Sequence, residues 1–553
     1  MRYTKHSMRS RRTDLLIRVL SLLLAAVWTS AAMADGNVAF ELNGGLEATD
    51  PAVVEAQNYE EDYEPDIDMV NADCIIGYVA PQGASLNPVS CTEWSLLSLN
   101  QLVFESVVDL DASMKPVPML ADSWEQDGRN WKFKLRSGIQ FHNGRELTAY
   151  DVVRSYEAIN GSIVKTPYFG RIQTIEKMDV LDNETVAVTG KNSGIATLYA
   201  MNFPVMQYST LGDQVPRGTG PYWYIHRDYD DTIRLESNPL WWKHQPLIHS
   251  VLLKRYDEAG DALEAIQTNK IQMMSTNSPK AAFSRKLSDV TSMDYLTLTY
   301  EMLVPNLSSK SMMSDISVRQ AVMYAIDRSM VASNAYVDMA VQCEVPLPPT
   351  SWLYESQSAI YYYSPERALQ LMNNLGWRDM TGNGKLNRMN GVMLQEPNLT
   401  IITYNERTNS IRENAAKLIA SYLEAVGFNV TVTAVRQERL RERMRSRDYD
   451  LALIGVNLSE VPDLSPILGR KGDLNYNGFG NDNIETLFKR IRGTTDETKL
   501  KQAYAAIQMY VVERLPIMGL VFRTGTVLST RSLGGMSGLR CYDAFNGFEF
   551  LSP

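Results

Sequence analysis

Cysteine is scarce in this chain of 553 residues, and the four present, Cys74, Cys91, Cys343 and Cys541, show neither Cys-x-x-Cys nor the mixed Cys/His spacing of a zinc site. In an oxidising compartment they could pair in three ways, and spacing does not choose among them. Histidine is also sparse: His6, His142, His226, His244 and His249 lie scattered and form no H-E-x-x-H pair. The segment "GGMSG" lacks the spacing of a G-x-S-x-G nucleophile elbow, and "GNGKL" has Leu where a phosphate loop needs Ser or Thr. "DMTGNGKLNRMN", residues 379–390, begins like a calcium loop but closes on Asn390 where a bidentate Glu is required, so a helix-to-strand turn is expected. No nucleophile, metal or phosphate chemistry is legible, and no enzyme, metal or cofactor is expected. Excess positive charge is absent too: the formal charge of -10 argues against a nucleic-acid surface.

Long apolar runs are likewise missing, apart from one short stretch near the N-terminus. Six basic residues and Asp14 precede or flank the uncharged run Val19 to Trp28, followed by small residues to Ala34. That is the pattern of a cleaved secretory signal over residues 1–34, too short to span a bilayer comfortably. Ser10-Arg11-Arg12 looks like a twin-arginine signal, but Asp14 sits where that motif needs an apolar residue, which favours the general secretory route. No Cys stands at the cleavage site, so a lipid anchor there is not expected. A soluble periplasmic protein beginning at Asp35 is the expectation.

Removing the signal takes the formal charge from -10 to -15. Most of the excess is local, because residues 35–69 carry eleven acids and no Lys or Arg. Such a segment buries too little apolar surface to offset its ordering entropy and is expected to be an acidic spacer.

From Asp73 onward, short β-branched runs alternate with amphipathic helical stretches, and no internal repeat interrupts them. "CIIGYVA" and "VAVTG" read as strands. "LLSLNQLVFESVV", "SVRQAVMYAIDRSMVASNAYV", "SIRENAAKLIASYLEAVGF" and "DETKLKQAYAAIQMYVVERL" read as helices, with Gly427 placed for a left-handed C-cap. The basic stretch 436–447 reads as a solvated helix face. The fold class is α/β, and about 480 residues after the leader suggest two or more lobes.

In "WEQDGRNWKFKLRSGIQFHNGRELTAYDVV", Asp127-Gly128 has hairpin chemistry, "WKFKLR" alternates as a strand, and Ser137-Gly138 and His142-Asn143-Gly144 make further turns. Thr148 can cap the helix that follows, so each unusual residue, His142 included, has an architectural role. This stretch closely resembles the family 5 periplasmic solute-binding proteins, the oligopeptide, dipeptide and nickel-binding components of ABC importers. "VFESVVDLDASMKPVPMLADSW" upstream, and "GTGPYWYIHRDYDDTIRLESNPLWW", "DISVRQAVMYAIDRSMV", "YSPERALQLMNNLGW" and "RDYDLALIG" downstream, match further family landmarks in order. The resemblance covers residues 73–553.

It implies a two-lobed fold joined by two chain crossings, "LTYEMLVPNL" and "LPIMGLVF". Lobe I would take 70–300 plus 515–553, with an inserted subdomain at about 94–204, and lobe II 301–514. A ligand would be held between the lobes by a monomer that docks on a membrane permease driven by an ATPase, with no bond made or broken. The expected ligand is a peptide; a non-peptide solute, or a sensor built on the same fold, is the alternative. Peptide binders of the family place an Asp a few residues after a Gly-Trp pair, where it meets the peptide's α-ammonium. Here the segment is "GVNLSEVPDLSPIL", with Val456 in place of Trp: strict alignment puts Ser459 at the Asp position, a one-residue slip puts Glu460 there, and Asp463 follows. The ligand-binding residues this implies are Glu460, Asp463, Ser459, Asn457, Tyr78 and Asn306.

Overall fold

Residues 72–406 and 410–552 are described by the computed structural model of the chain. The expected signal and the acidic leader lie outside the described residues.

β-Branched and aromatic runs assemble one 11-stranded sheet. Its path runs through Asn429–Val435, Asn398–Tyr404, Leu451–Asn457, Thr291–Pro305, Met518–Ser529, Met273–Thr276, Cys74–Val79, Ser250–Tyr256, Ile233–Ser237 and Tyr222–Arg227, with Ala340–Gln342 pairing Met518–Ser529 off this path. Two long antiparallel strands at its centre, Thr291–Pro305 and Met518–Ser529, overlap the two segments expected to cross. The first pairs through residues 299–305 with Leu451–Asn457, and the second through 526–529 with Met273–Thr276. Each therefore belongs to one half of the sheet at one end and to the other half at the other. Their register shifts between Leu296 and Tyr300, a bulge that bends the pair and re-aims its side chains.

A separate four-stranded sheet, Ala121–Asp127, Asn130–Leu135, Thr185–Gly190 and Ile175–Asp182, holds the "WKFKLR" strand. Trp131, Phe133 and Leu135 point into the core while Lys132 and Lys134 face water, as alternation requires. The following helix, Ala149–Gly161, starts as the sequence suggests: Asp151 reaches back to the Thr148 backbone N–H (3.0 Å) and accepts from its hydroxyl (2.8 Å). His142 is buried and architectural. Its Nδ1 accepts from the Gly218 N–H (3.3 Å) and its Nε2 lies 3.3 Å from the Gly220 carbonyl, which ties its turn to the 218–220 segment. Burial pushes its pKa down to about 3, and an Nδ1 that accepts a hydrogen bond requires the neutral ring.

Other helices follow the periodicity with instructive exceptions. Ile411–Ala425 and Glu497–Arg514 form, and Gly427 is left-handed at φ +90°. The helix expected through "LLSLNQLVFESVV" is cut to Trp94–Asn100 because the carbonyls of Leu102 and Val103 accept from Tyr222 and Gly220 instead of continuing the helical ladder. "SVRQAVMYAIDRSMV" breaks after Ala325, where the Asp327 carboxylate caps a new turn through the N–H groups of Ser329 and Met330. In the calcium-like loop, Asp379 accepts from the backbone N–H groups of Thr381, Gly382, Asn383 and Gly384, so its oxygens close a turn. The four cysteines are buried free thiols, and burial raises the pKa of Cys74, Cys91 and Cys343 to about 12.

Beneath the sheet's centre, Arg412 forks onto the buried Glu301 through Nε (2.8 Å) and Nη2 (2.7 Å). Gly455 has no room for a side chain, since a Cβ there would meet Arg412 and lie 2.8 Å from Glu301 Oε1.

Candidate functional site

A cavity of about 340 Å³ opens where the bulge distorts the central strand pair. One wall is residues 293–298 of the first strand, beside its bulge, with Thr524 of the second. The C-terminal loop 538–541, with Ala112 and Met114, forms the second wall. Val341, Pro348, Thr350 and Glu460 close it from the other half of the sheet's connections. The lining is mostly apolar, with a few polar groups, the usual chemistry of a small-molecule pocket.

Three charged side chains reach this lining, and each has a partner within the chain. Glu460, in the loop after strand Leu451–Asn457, pairs with Arg171 of helix Pro167–Ile172, both side chains being at most 5% exposed. Arg171 in turn donates through Nη1 to the backbone carbonyl and Oδ1 of Asn202. Arg540 donates through Nη2 to Asp109 (3.0 Å) and Asp543 (2.8 Å). Asp294 pairs with Arg285. Burial pushes the Glu460 carboxyl pKa up, against the lowering influence of Arg171 and Arg540. Burial likewise raises Asp543, to about 7, while Arg540 opposes it.

Of the six residues expected to bind ligand, Glu460 lines the cavity. The cation that answers it is the chain's own Arg171. Ser459 and Asp463 share with Glu460 an adjoining crevice of about 20 Å³. There Ser459 Oγ accepts from the Val461 N–H (3.2 Å), and Asp463 accepts from the Ser465 N–H (2.9 Å) and faces Arg492 at 3.8 Å. Asn457 is exposed and accepts from the Thr299 hydroxyl (2.8 Å), fastening the end of its strand to the central pair. Tyr78 and Asn306 do not reach the cavity. The Tyr78 hydroxyl donates to the Asp231 carbonyl (2.9 Å) in the core, and the buried Asn306 amide donates to the carbonyls of Arg447 (3.0 Å) and Tyr449 (2.8 Å). Arg171, Arg540 and the 293–298 strand are additions that residue spacing does not disclose; Glu460 and Asp109, which pair with Arg171 and Arg540, lie far from them in sequence. Among the described residues, no group of three or more His, Cys, Asp or Glu side chains converges as a metal site, and no helix is long and apolar enough to cross a membrane.

Comparisons with known proteins agree with this architecture. The oligopeptide-binding protein AppA of Bacillus subtilis is 22% identical over 487 residues, covering 84% of this chain and 88% of that protein. Heme-binding protein A of Haemophilus influenzae is 24% identical, covering 81% and 87%. Among solved structures, HbpA2 from Haemophilus parasuis superposes with a TM-score of 0.73 at 19% identity, covering 86% of this chain and 99% of that one. The structural likeness is to the two-lobed periplasmic binding-protein fold. The model of the "Bacterial extracellular solute-binding proteins, family 5 Middle" matches residues 115–473, and the chain belongs to that family.

Proposed function

We propose that the chain is the extracytoplasmic solute-binding component of an ABC importer, and that it captures a short peptide in the 340 Å³ cavity and delivers it to a membrane permease coupled to an ATPase. The observation that carries this reading is the cavity's position: it sits at the bulged crossing strands and is walled from both halves of the sheet. A ligand there touches both halves only when they are together. Its affinity is then the difference in free energy it confers on the closed over the open form. Domain closure around a ligand needs few flexing residues, and two adjacent strands meet that need.

Peptide is favoured because relatives named for oligopeptides and dipeptides align over most of the chain. A volume of 340 Å³ is at the small end of ligand pockets, which run from about 300 to 1,000 Å³, so the peptide is short. The inserted subdomain at about 94–204 contributes Arg171, and lobe II contributes Glu460. Their pairing across the two lobes is a contact that closure completes.

Mass spectrometry of small molecules released from protein purified natively, from the export compartment of its own host, tests the reading. Short peptides are expected. A released porphyrin or other non-peptide solute in stoichiometric amount would contradict the peptide assignment while leaving solute capture intact.

A further inference from the structure

One part of the chain is apolar and uncovered. Strands Arg388–Asn390 and Met393–Gln395 form a hairpin separate from the large sheet, closed by the two-residue turn Gly391-Val392 with Gly391 at φ +62°. Every residue from 388 to 396 is exposed, Val392 to 95% and Met393 to 71%. Such turns ordinarily carry Gly, Asn or Asp, so a β-branched apolar residue at the tip is out of keeping with a turn that meets only water. Met389 stands opposite Leu394, and Asn390 opposite Met393. Paired residues share a face and successive residues alternate, which puts Met389 and Leu394 on one face of the ribbon and Met393 on the other. A hairpin that packs on its own protein is apolar on one face only.

Positive charge gathers at the same end. Arg378 and Arg388 flank the hairpin and are exposed. The hairpin leads into strand Asn398–Tyr404, whose first residues also receive the chain leaving helix Gln437–Ser446: the Asp450 N–H donates to the Thr400 carbonyl (3.0 Å), and Asp450 Oδ2 accepts from the Thr400 N–H (2.9 Å). Arg445, in the last turn of that helix, and Arg447, just beyond it, are thereby placed at the hairpin's end of the strand, and both are exposed. Arg439 and Arg443 of the same helix pair with Glu442 and Asp448, whereas Arg445 and Arg447 have no ion pair among the described residues. In a chain whose formal charge is -10, this end stands out.

An apolar tip bare on both faces needs an occupant that surrounds it, and the arginines need one that is anionic. The interfacial region of a phospholipid bilayer supplies both, with acyl chains closing around the tip while guanidinium groups meet lipid phosphates. We infer that the hairpin 388–395, together with Arg378, Arg388, Arg445 and Arg447, is a contact surface for an anionic phospholipid bilayer. The net negative charge of the rest of the chain is repelled by the same lipid, so the contact has one orientation. The surface shares no residue with the cavity lining, and the inference holds whatever solute is captured. It keeps the chain on the bilayer in which an importer's permease sits.

Vesicle flotation of the exported protein tests it, with vesicles of phosphatidylcholine alone and vesicles of phosphatidylcholine mixed with phosphatidylglycerol. Wild-type protein should float with the mixed vesicles, less so as salt is raised, and about tenfold or more weakly with phosphatidylcholine alone. Val392→Asn combined with Met393→Asn should weaken partition onto the mixed vesicles by about tenfold or more, because two apolar side chains no longer leave water. Arg445→Gln combined with Arg447→Asn, the Asn chosen for the left-handed backbone at 447, should weaken it by about tenfold and flatten its salt dependence. All four positions are exposed, so the variants keep the fold, which circular dichroism verifies. Wild-type protein that does not float overturns the inference, as does flotation that either double variant leaves unchanged. Self-association of the wild type in sedimentation, lost in the Val392 and Met393 double variant and unaccompanied by flotation, would make the tip a contact between copies of this chain and overturn the bilayer assignment.

Discussion

Two buried side chains far apart in sequence illustrate what a residue's environment does to its charge. Glu460 keeps a carboxylate in the interior because Arg171 meets it; His142 remains neutral because burial penalises the charged ring and its Nδ1 accepts from the Gly218 N–H. The second case has a measurable consequence. In the unfolded chain His142 titrates near its ordinary value of 6.5, whereas burial holds the folded ring down at about 3. The folded-state pKa is depressed, so the stability it confers is fully present above 6.5 and is lost as the pH falls toward 3. The loss is about 1.4 kcal/mol for each pH unit in that window. His142→Gln is expected to lower stability at pH 7 but to flatten its decline between pH 6.5 and 4, as read by urea denaturation across that range. Parallel declines in the two proteins would show that this ring does not govern the acid limb. At this scale the sequence is half legible. The turn chemistry of "FHNGRELTAYD" reveals His142 as architecture, and the loop after "YDLALIG" points to Glu460. Arg171 is nearly three hundred residues from Glu460, and no spacing rule joins them; their pairing exists only once the fold brings helix and loop together.

Among the elements, the two central strands join the sheet and border the cavity. They are antiparallel neighbours, bulged beside the cavity, and packed tightly at Gly519, where a Cβ would overlap the Tyr300 hydroxyl and the Glu344 carbonyl. Tyr300 is itself buried against Phe522, with ring centroids 4.9 Å apart, so it cannot retreat without disturbing the other strand. Gly519→Ala is therefore expected to cost about 1–3 kcal/mol by overpacking, measured as a fall in denaturation midpoint. An unchanged midpoint would mean that the strand pair is loose enough to absorb a methyl group, contrary to the close packing described. The strands and the long helices are readable from period and composition, as "CIIGYVA", "WKFKLR" and the 411–425 helix demonstrate. The helix through Leu102 and Val103 is not, because its apolar spacing is correct and only the distant segment 220–222 diverts its carbonyls. The bulge at 296–300, which borders the cavity, likewise has no glycine within it to announce it.

On the scale of the whole molecule, the sheet is continuous through its two long central strands, and charged and polar contacts join segments far apart in sequence. Lys115 pairs with Glu497 at 2.6 Å, the Thr495 hydroxyl donates to Gln126 (2.6 Å), and the Trp352 indole donates to the Tyr199 hydroxyl (3.0 Å). The two-lobed plan is legible from the ordered family landmarks. These long-range pairs are not, since no landmark contains them. Solute capture as proposed requires that the lobes close on a ligand in the 340 Å³ cavity. Solution scattering tests it most directly, comparing mature protein stripped of its co-purified ligand with the same sample after the ligand is restored. Closure gives a smaller radius of gyration on reloading, with far-ultraviolet circular dichroism unchanged, because rigid lobes approach without refolding. Superimposable scattering curves at saturating ligand would contradict it.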